Sequence, residues 1–330
     1  MNIRKSVVVS IVIVGLAAVI TVVIARSLAP AHDASPDIVV VVKAMSPDME
    51  FWQIVRAGID TAAREFGVEP RVTGPWLERD IADQIRVLNE VIDEGPDGII
   101  LAASDYEALA PYADRAVAAG IALVTIDSAV AGDSSESFIA TDNLRAGERA
   151  GEAMASLLPD GGKIAIVSHI EEVATSIDRE FGALRALAAA GNFNFLGTFF
   201  SENTLEIAYA HAQRLMSEHP DLAGIIGLNE TSTVGIARAV HDAGRASTVR
   251  VVGFDSSQEE IAFLEQDVIQ ALVVQKPFNM GYLSLRTLAD LLQGRGVERF
   301  IDTGSELVTR ENMYDPEIQQ LLFPFFGMAR

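Results

Sequence analysis

Residues 121–128 of the chain read IALVTIDS, a continuous run of apolar and β-branched residues that ends at an aspartate and a serine. Strands that are apolar along their whole length are typical of parallel sheets, because helices cover both faces of such a sheet. Similar runs recur along the chain, and between them lie stretches with apolar residues at helical spacing, for example Ile81, Ile85, Leu88 and Ile92. The sequence therefore predicts an α/β protein in which strands and helices alternate.

The candidate strands form two series of five. They are residues 38–43, 71–74, 98–103, 122–127 and 138–141, then 163–168, 195–200, 223–229, 249–255 and 271–275. A turn at 159–162 separates the two series, and ten strands are too many for one small sheet. We therefore expect two doubly wound parallel-sheet lobes. An eightfold barrel is the structural alternative, but the Ser-, Asp- and Gly-rich segment 129–137 interrupts the uniform repeat that a barrel requires.

Polar side chains stand where four of these strands end, namely Asp127, Asn229, Asp255 and Gln275. Ligands of open α/β sheets bind at the carboxyl ends of the strands, so these residues are candidate ligand contacts. Asp and Asn also end strands as turn formers or cap the following helix, and this alternative stays open for each residue taken singly. Four such residues drawn from both halves of the chain favour a shared binding site.

Three further residues fit the same site. Arg179 falls about one turn into the helix after the first strand of the second series, and Phe51 and Trp52 begin the first helix. Neighbouring positions on a helix face different ways, so we expect at most one of the two aromatic side chains to be buried. Carboxylates and amides bind hydroxyl groups, a guanidinium offers paired donors, and an aromatic face covers the C–H side of a sugar ring. The set predicts a polyhydroxylated small molecule as ligand.

Composition excludes several classes of protein. The 330 residues include 46 acidic and 25 basic side chains, a formal net charge of −21, and such a field repels nucleic acid. The absence of cysteine excludes disulfides, thiol catalysis and cysteine-ligated zinc. The five histidines are scattered, and no HExxH, G-x-S-x-G or phosphate-binding glycine loop accompanies them. His169 alone lies near a strand end, and we interpret it as a loop or core residue.

The N-terminal segment has the pattern of an export signal or a membrane anchor. Arg4 and Lys5 precede an uncharged apolar run at 7–25, and a polar stretch follows to Pro36. The positive-inside tendency predicts that everything after Arg26 lies across the membrane. Cleavage of this segment and its retention both stay open.

From residue 37 to about 309 the chain resembles the periplasmic sugar-binding proteins of the ribose-binding type, the superfamily that includes the ligand-binding domain of the lactose repressor. The segments that carry the resemblance are EFWQIVRAGIDTAAREFGV (50–68), IALVTIDS (121–128), FIATDNLRAGERAGE (138–152), TSIDREFGAL (175–184), HPDLAGIIGLNETSTVGIARAV (219–240), VRVVGFDSS (249–257) and ALVVQKPFNMGYLSL (271–285). The resemblance implies two similar lobes, joined by a three-strand hinge with crossovers near Asp142, Gln275 and Gly304, that close on a ligand. It gives the division 1–36 signal or anchor plus linker, 37–141 and 276–304 lobe 1, and 142–275 and 305–330 lobe 2.

The resemblance also implies a role for each candidate residue. It places ring-stacking aromatics at Phe51 and Trp52, hydroxyl acceptors at Asp127 and Asp255, the paired donor at Arg179, amides at Asn229 and Gln275, and Asn203 where the ribose binder has another aromatic. Three positions depart from that pattern, since Ser128 replaces a second arginine and Ala102 and Met49 replace asparagines. These losses argue against ribose itself and leave a general sugar pocket. No galactose-type calcium loop is visible, so we expect no metal and no cofactor.

The function that follows is capture of a monosaccharide or related polyol outside the cytoplasm, for delivery to an ABC-type transporter. The expected partners are the sugar and a membrane permease or sensor, with no nucleic acid and with membrane contact only through the N-terminal segment. An enzyme and a transcription regulator are disfavoured by the missing motifs and by the charge, and a membrane-tethered sensing ectodomain stays open as the alternative. The aromatic residues Phe323, Phe325 and Phe326 near the C-terminus either pack on the second lobe or contact a partner.

Overall fold

The computed structural model describes residues 35–47 and 49–323. Residues 1–34 of the predicted signal or anchor plus linker (1–36), and the aromatic residues Phe325 and Phe326, lie outside the described residues. The strands are β1 (Ile38–Val41), β2 (Arg71–Thr73), β3 (Gly98–Leu101), β4 (Ala122–Ile126), β5 (Ser137–Ala140), β6 (Gly162–Ser168), β7 (Phe193–Phe200), β8 (Leu222–Gly227), β9 (Arg250–Phe254), β10 (Ala271–Gln275), β11 (Phe300–Asp302) and β12 (Ser305–Thr309). The helices are α1 (Glu50–Phe66), α2 (Ile81–Glu94), α3 (Ala110–Ala118), α4 (Asn143–Leu157), α5 (Ala174–Ala190), α6 (Leu205–Glu218), α7 (Glu230–Asp242), α8 (Gln258–Glu265), α9 (Pro277–Leu292) and α10 (Pro316–Leu322).

The strands form two six-stranded sheets, as the two series of apolar runs predict. The first sheet has the order β11-β5-β4-β3-β1-β2 and is parallel throughout. The second has the order β12-β10-β9-β8-β6-β7 and is parallel except for β12, which pairs antiparallel with β10. Both sheets are doubly wound, so the two-lobed α/β architecture is confirmed and a single barrel is not formed.

Two short strands, β11 and β12, were not among the ten predicted strands. β11 is three residues long and buries none of them fully, so it has no apolar run that sequence could reveal. β12 follows it after two residues and lies in the other sheet. There it pairs with β10 and runs antiparallel to it.

Each sheet packs against apolar residues on both faces. Its strands therefore do not alternate between apolar and polar residues. In β1, Val39 and Val41 pack with α2 and α3, whereas Ile38 and Val40 pack with α1 and α9. In the second lobe one face of the sheet packs with α4 and α5 and the other with α6, α7 and α8. Residues of α10, including Leu322, join this second group, and Phe323 packs against it.

Helices α4 and α5 approach closely enough to exclude side chains between them. A Cβ atom on Gly147 of α4 would lie 2.2 Å from the carbonyl oxygen of Arg179, and one on Gly182 of α5 would lie 2.2 Å from that of Leu144. Real Cβ contacts of this length do not occur, so both positions require glycine. This contact between the helices sets the position of the Arg179 backbone.

The chain passes between the two sheets at three places. After β5 it enters α4 of the second lobe, after β10 it enters α9, which packs on the first sheet, and after β11 it enters β12 of the second sheet. The Asp302 carboxylate accepts hydrogen bonds from the backbone N–H groups of Asp142, at 3.0 Å, and Gly304, at 2.8 Å. One side chain therefore ties two of the passages together.

In the described part of the chain, each helix is too short or too polar to span a bilayer.

Candidate ligand-binding site

A small cavity lies between the two lobes, at the carboxyl ends of strands from both sheets. Its volume is about 30 Å³, room for about two water molecules. The first lobe lines it with Lys43, Met49, Phe51, Trp52, Glu78 and Asp127, and the second lobe lines it with His169, Thr175, Arg179, Asn229, Glu230, Asp255 and Gln275. Seven of the eight predicted ligand contacts thus surround one cavity, and the eighth, Asn203, lines the adjoining groove.

On the first lobe, a buried lysine holds together the polar part of the cavity wall. The Lys43 ammonium lies 2.8 Å from Asp127 Oδ2 and 3.4 Å from Glu78 Oε1, and it donates a hydrogen bond to the hydroxyl of Ser128. Lys43 is only 2% exposed. Burial raises the pKa of Glu78, and the lysine opposes that rise. Ser128 replaces an arginine of the ribose-binding pattern, and Lys43 supplies positive charge at this wall.

The two aspartates that end β4 and β9 occupy equivalent places in the two lobes. Asp127 has φ 60° and Asp255 has φ 77°, both in the left-handed region that Asp tolerates better than most residues. The N–H of Asp127 donates to Ile139 in β5, and that of Asp255 donates to Val273 in β10, each at 3.0 Å. The backbone hydrogen bonds between strands thus end in the same way in both sheets, and the carboxylate of each aspartate lines the cavity.

Arg179 is the buried cation of the second lobe. Its Nε donates to Asn143 Oδ1 and its Nη1 to the carbonyl of Leu228, both at 2.8 Å. The guanidinium carbon lies 4.5 Å from the centre of the Phe254 ring, which adds a cation–π contact. Burial lowers the pKa of Arg179, but an arginine stays charged in proteins. These contacts fix the guanidinium plane where it lines the cavity.

Asp255 and Gln275 form a hydrogen-bonded pair next to Arg179. Gln275 Nε2 donates to Asp255 Oδ1 at 2.7 Å, and the backbone N–H of Glu230 donates to Asp255 Oδ2 at 2.9 Å. Burial raises the pKa of Asp255, and the charge of Arg179 partly offsets the rise. The second lobe therefore presents a carboxylate whose orientation is set before any ligand arrives.

The expectation that at most one of Phe51 and Trp52 is buried was wrong. Phe51 is 9% exposed and Trp52 6%, and both line the cavity. Their rings meet edge to face, with centroids 5.2 Å apart and planes at 85°. The expectation assumed that a helix is covered by other residues on one side only. The start of α1 is covered on two sides, by the core of its own lobe and by the opposite lobe, where the Phe51 N–H donates to Glu230.

Asn229 and Asn203 connect the two lobes. Asn229 Oδ1 caps α7 by accepting from the N–H of Ser232, and its Nδ2 donates to Asn203 Oδ1 at 2.8 Å. Asn203 Nδ2 in turn donates to Glu78 Oε2 of the first lobe, also at 2.8 Å. Asn229 is therefore both a helix cap and a wall of the cavity. Asn203 itself lies in the neighbouring groove, whose volume is about 460 Å³.

Glu230 joins the lobes from the other side of the cavity. Its carboxyl group accepts from the backbone N–H groups of Glu50, at 3.3 Å, and Phe51, at 3.2 Å, which begin α1. The residue before that helix, Met49, provides no side-chain cap, so Glu230 of the opposite lobe caps α1. Glu50 in return accepts from the N–H of Gln258 at the start of α8, at 3.3 Å. Burial, with the Asp255 charge nearby, raises the pKa of Glu230 to about 8.

Sequence reasoning missed four titratable residues of the cavity wall, namely Lys43, Glu78, His169 and Glu230. The rule that located Asp127 could have located Lys43, since it is the first charged residue after the apolar run of β1. His169 follows β6 directly, but a single histidine was interpreted as a loop or core residue. Glu78 lies in an irregular loop with no periodic pattern that points to it.

Within residues 35–47 and 49–323, no group of three or more His, Cys, Asp or Glu side chains could hold a metal ion.

Comparison with known proteins identifies the family. The model of the periplasmic binding protein domain matches residues 38–296. The chain therefore belongs to the periplasmic binding protein family, a family of extracytoplasmic binding proteins and not of enzymes.

Its relatives include proteins named for sugars. The D-ribose/D-allose-binding protein of Pseudomonas aeruginosa is 29% identical over 70% of this chain and 76% of its own length. A carbohydrate transporter solute-binding protein from Agrobacterium radiobacter, in complex with D-arabinose, superimposes with a TM-score of 0.85, at 27% identity over 88% of this chain and 99% of that one. An ABC transporter solute-binding protein from Agrobacterium vitis, with bound D-fucose, does so with a TM-score of 0.83, at 33% identity over 87% of this chain and 99% of that one.

Proposed function

We propose that this protein captures a neutral monosaccharide or related polyol outside the cytoplasm and delivers it to an ABC-type sugar transporter. The observation that carries the proposal is the single cavity lined by Lys43 and Asp127 from one lobe and by Arg179, Asn229 and Asp255 from the other. The D-arabinose and D-fucose bound by the two structural relatives, together with the names of those relatives as transporter solute-binding proteins, support it. Those names also favour transport over a sensing ectodomain.

The charges around the cavity favour an uncharged ligand. Four carboxyl groups line it, from Glu78, Asp127, Glu230 and Asp255, and the cations Lys43 and Arg179 balance only part of them. A sugar acid or a sugar phosphate would bring a further negative charge into a buried site that already has a surplus of acidic groups. Hydroxyl groups, by contrast, donate to carboxylates and accept from ammonium and guanidinium groups.

Eight residues are proposed as ligand contacts. They are Phe51 and Trp52 against the ring, Asp127, Asp255, Arg179, Asn229 and Gln275 at the hydroxyl groups, and Asn203 at the edge of the cavity. The burial of both aromatic rings beside the polar wall supports the first part of this assignment. To these eight we add Lys43, which lies between the two carboxylates of the first lobe.

Capture proceeds by closure of the lobes. A ligand stabilises the closed form only to the extent that it binds that form better than the open one. In this chain the Glu230–α1 and Asn203–Glu78 hydrogen bonds join the lobes around a cavity of about 30 Å³, which is smaller than a monosaccharide. The lobes must therefore move apart to admit a sugar, which then bridges Asp127 and Arg179 when they close on it. The membrane permease then recognises the closed pair of lobes.

The proposed division of the chain keeps residues 37–141 and 276–304 in lobe 1 and residues 142–275 and 305–330 in lobe 2. The sheet to which each strand belongs supports these bounds, since β11 pairs with β5 and β12 with β10. Residues 1–36 are proposed to direct export, as signal or anchor, and provide the only contact with the membrane.

A panel of sugars tests the proposal. The purified protein is heated with D-ribose, D-allose, D-arabinose, D-fucose and D-tagatose, and each sugar that raises the melting temperature is measured by calorimetry. A sugar at 100 times its Kd should stabilise the protein by about 2.7 kcal/mol. D-Galacturonate and D-ribose 5-phosphate serve as anionic controls and should give no shift. If no neutral sugar shifts the melting temperature, or if the anionic sugars bind best, the proposal is wrong.

A further inference from the structure

Two polar atoms of the cavity wall have no hydrogen-bond partner among the described residues. They are His169 Nδ1 and Gln275 Oε1, in side chains that are 3% and 2% exposed. Buried polar atoms in proteins are almost always hydrogen-bonded, so each such atom calls for an explanation. Gln275 is already among the proposed ligand contacts, but His169 is not.

The position of His169 is fixed on its other sides. Its Nε2 is hydrogen-bonded to the hydroxyl of Thr175 at 3.0 Å, in the first turn of α5. Its carbonyl accepts from the N–H of Glu202 at 3.0 Å, and the adjacent carbonyl of Ser168 accepts from the N–H of Ser201 at 2.9 Å. A histidine with a purely structural role would use both ring nitrogens in this way. Here one nitrogen is engaged, and the ring lines the cavity.

The imidazole is held in its neutral form. Burial lowers the pKa of His169 well below its ordinary value of 6.5, and the charges of Arg179 and Lys43 lower it further. A neutral imidazole has one N–H donor and one acceptor nitrogen. Whichever of these Nδ1 is, a hydroxyl group can pair with it, because a hydroxyl both donates and accepts. An ammonium group could only donate to it, and a carboxylate could only accept from it.

We infer that His169 is a specificity-determining residue of the binding site, and that its Nδ1 forms a hydrogen bond with one hydroxyl group of the captured sugar. The inference rests on the proposed function, which supplies a polyhydroxylated ligand. It adds a role for one residue that neither strand-end reasoning nor the ribose-binding pattern assigned. Its consequence is that the protein distinguishes sugars by the presence of one particular hydroxyl.

The test combines substitutions of His169 with removal of single hydroxyl groups from the sugar, as in a double-mutant cycle. The sugar of the panel that binds best is compared by calorimetry with each of its monodeoxy derivatives, in the natural protein and in His169→Leu, His169→Gln and His241→Gln. In the natural protein, loss of the partner hydroxyl should weaken binding about tenfold. In His169→Leu the parent sugar should bind about tenfold more weakly, and removal of that one hydroxyl should then have almost no effect. His169→Gln should restore part of the discrimination, and His241→Gln, at an exposed site, should behave like the natural protein.

Spectroscopy provides a second measurement that needs no folded variant at this site. The imidazole nitrogens of the natural protein are labelled with ¹⁵N, and the panel sugar is added. We expect the spectrum of a neutral ring at pH 6, and a shift of one ring nitrogen of His169 on saturation with sugar. The inference is overturned if the sugar binds but no deoxy derivative shows coupling to position 169, or if sugar leaves the His169 nitrogens unchanged, which would mean a buried water as the partner. Failure of every panel sugar to bind would instead overturn the proposed function.

Discussion

The Glu230 carboxyl group makes sugar binding depend on pH. In the open form that capture by closure requires, we expect this group to face water, where its ordinary pKa is 4.5, whereas burial between the lobes raises the pKa to about 8. A raised pKa means that the closed form holds the proton more tightly. Closure is therefore favoured at low pH, and this contribution is lost as pH rises from 4.5 towards about 8.

The size of the effect follows from the shift. Each pKa unit corresponds to about 1.4 kcal/mol, so the full shift is worth at most about 5 kcal/mol. Within the window between the two pKa values, Kd should rise up to about tenfold for each unit of pH. Burial lowers the pKa of His169, so any change at that residue on closure releases protons and is opposite in sign to the uptake at Glu230.

The assay is calorimetry of the best-binding sugar at pH 7.0, 7.5, 8.0 and 8.5, in buffers of different ionisation enthalpy, which reports protons taken up on binding. We expect uptake close to one proton at pH 7 in the natural protein. Glu230→Gln should abolish most of it, because the amide cannot titrate. Glu206→Gln, an exposed carboxyl of the neighbouring groove, is the matched control and should leave the uptake unchanged. Absence of uptake in the natural protein, or equal uptake in Glu230→Gln, would refute the reasoning.

Three further substitutions test how the wall of the cavity is built. Arg179→Ala should weaken sugar binding about 100-fold, as measured by calorimetry, because it leaves buried acceptor atoms without a hydrogen-bond donor. Trp52→Phe should weaken binding less, and equal losses would contradict the assignment of Arg179 as the donor. Gly147→Ala should weaken sugar binding and lower the melting temperature, because the added Cβ atom would displace the backbone of Arg179. Gly296 has open space around it, so the control Gly296→Ala should change neither quantity. Lys43→Met should lower the free energy of unfolding by about 3–5 kcal/mol in urea, because it leaves two buried carboxylates unpaired, and a loss under 1 kcal/mol would mean that the ion pairs contribute little.

The repeated strands could be predicted because burial on both faces leaves continuous apolar runs in the sequence. Each of the ten predicted strands overlaps an observed one, with ends that agree to within about two residues. The antiparallel strand β12 could not be predicted in this way, since only Ser305 and Val308 are buried in it. Its place is set by pairing with β10, a long-range contact that local pattern does not encode.

The candidate site was predictable where a polar residue directly ends a strand, as at Asp127 and Asp255. A site residue was less predictable where its contacts are made with the opposite lobe. Glu230 begins a helix in its own lobe, and its link to α1 arises only because the two lobes meet. Phe51 packs in the core of its own lobe, and the other lobe also covers it through the bond of its N–H to Glu230, which the sequence of one lobe could not reveal.

A crystal structure with the best-binding panel sugar tests the binding site most directly. We predict one sugar between the lobes, with hydroxyl groups bonded to Asp127 or Lys43 on one side and to Arg179 and Asp255 on the other. A sugar bound to one lobe alone, or at any site away from these residues, would contradict the prediction.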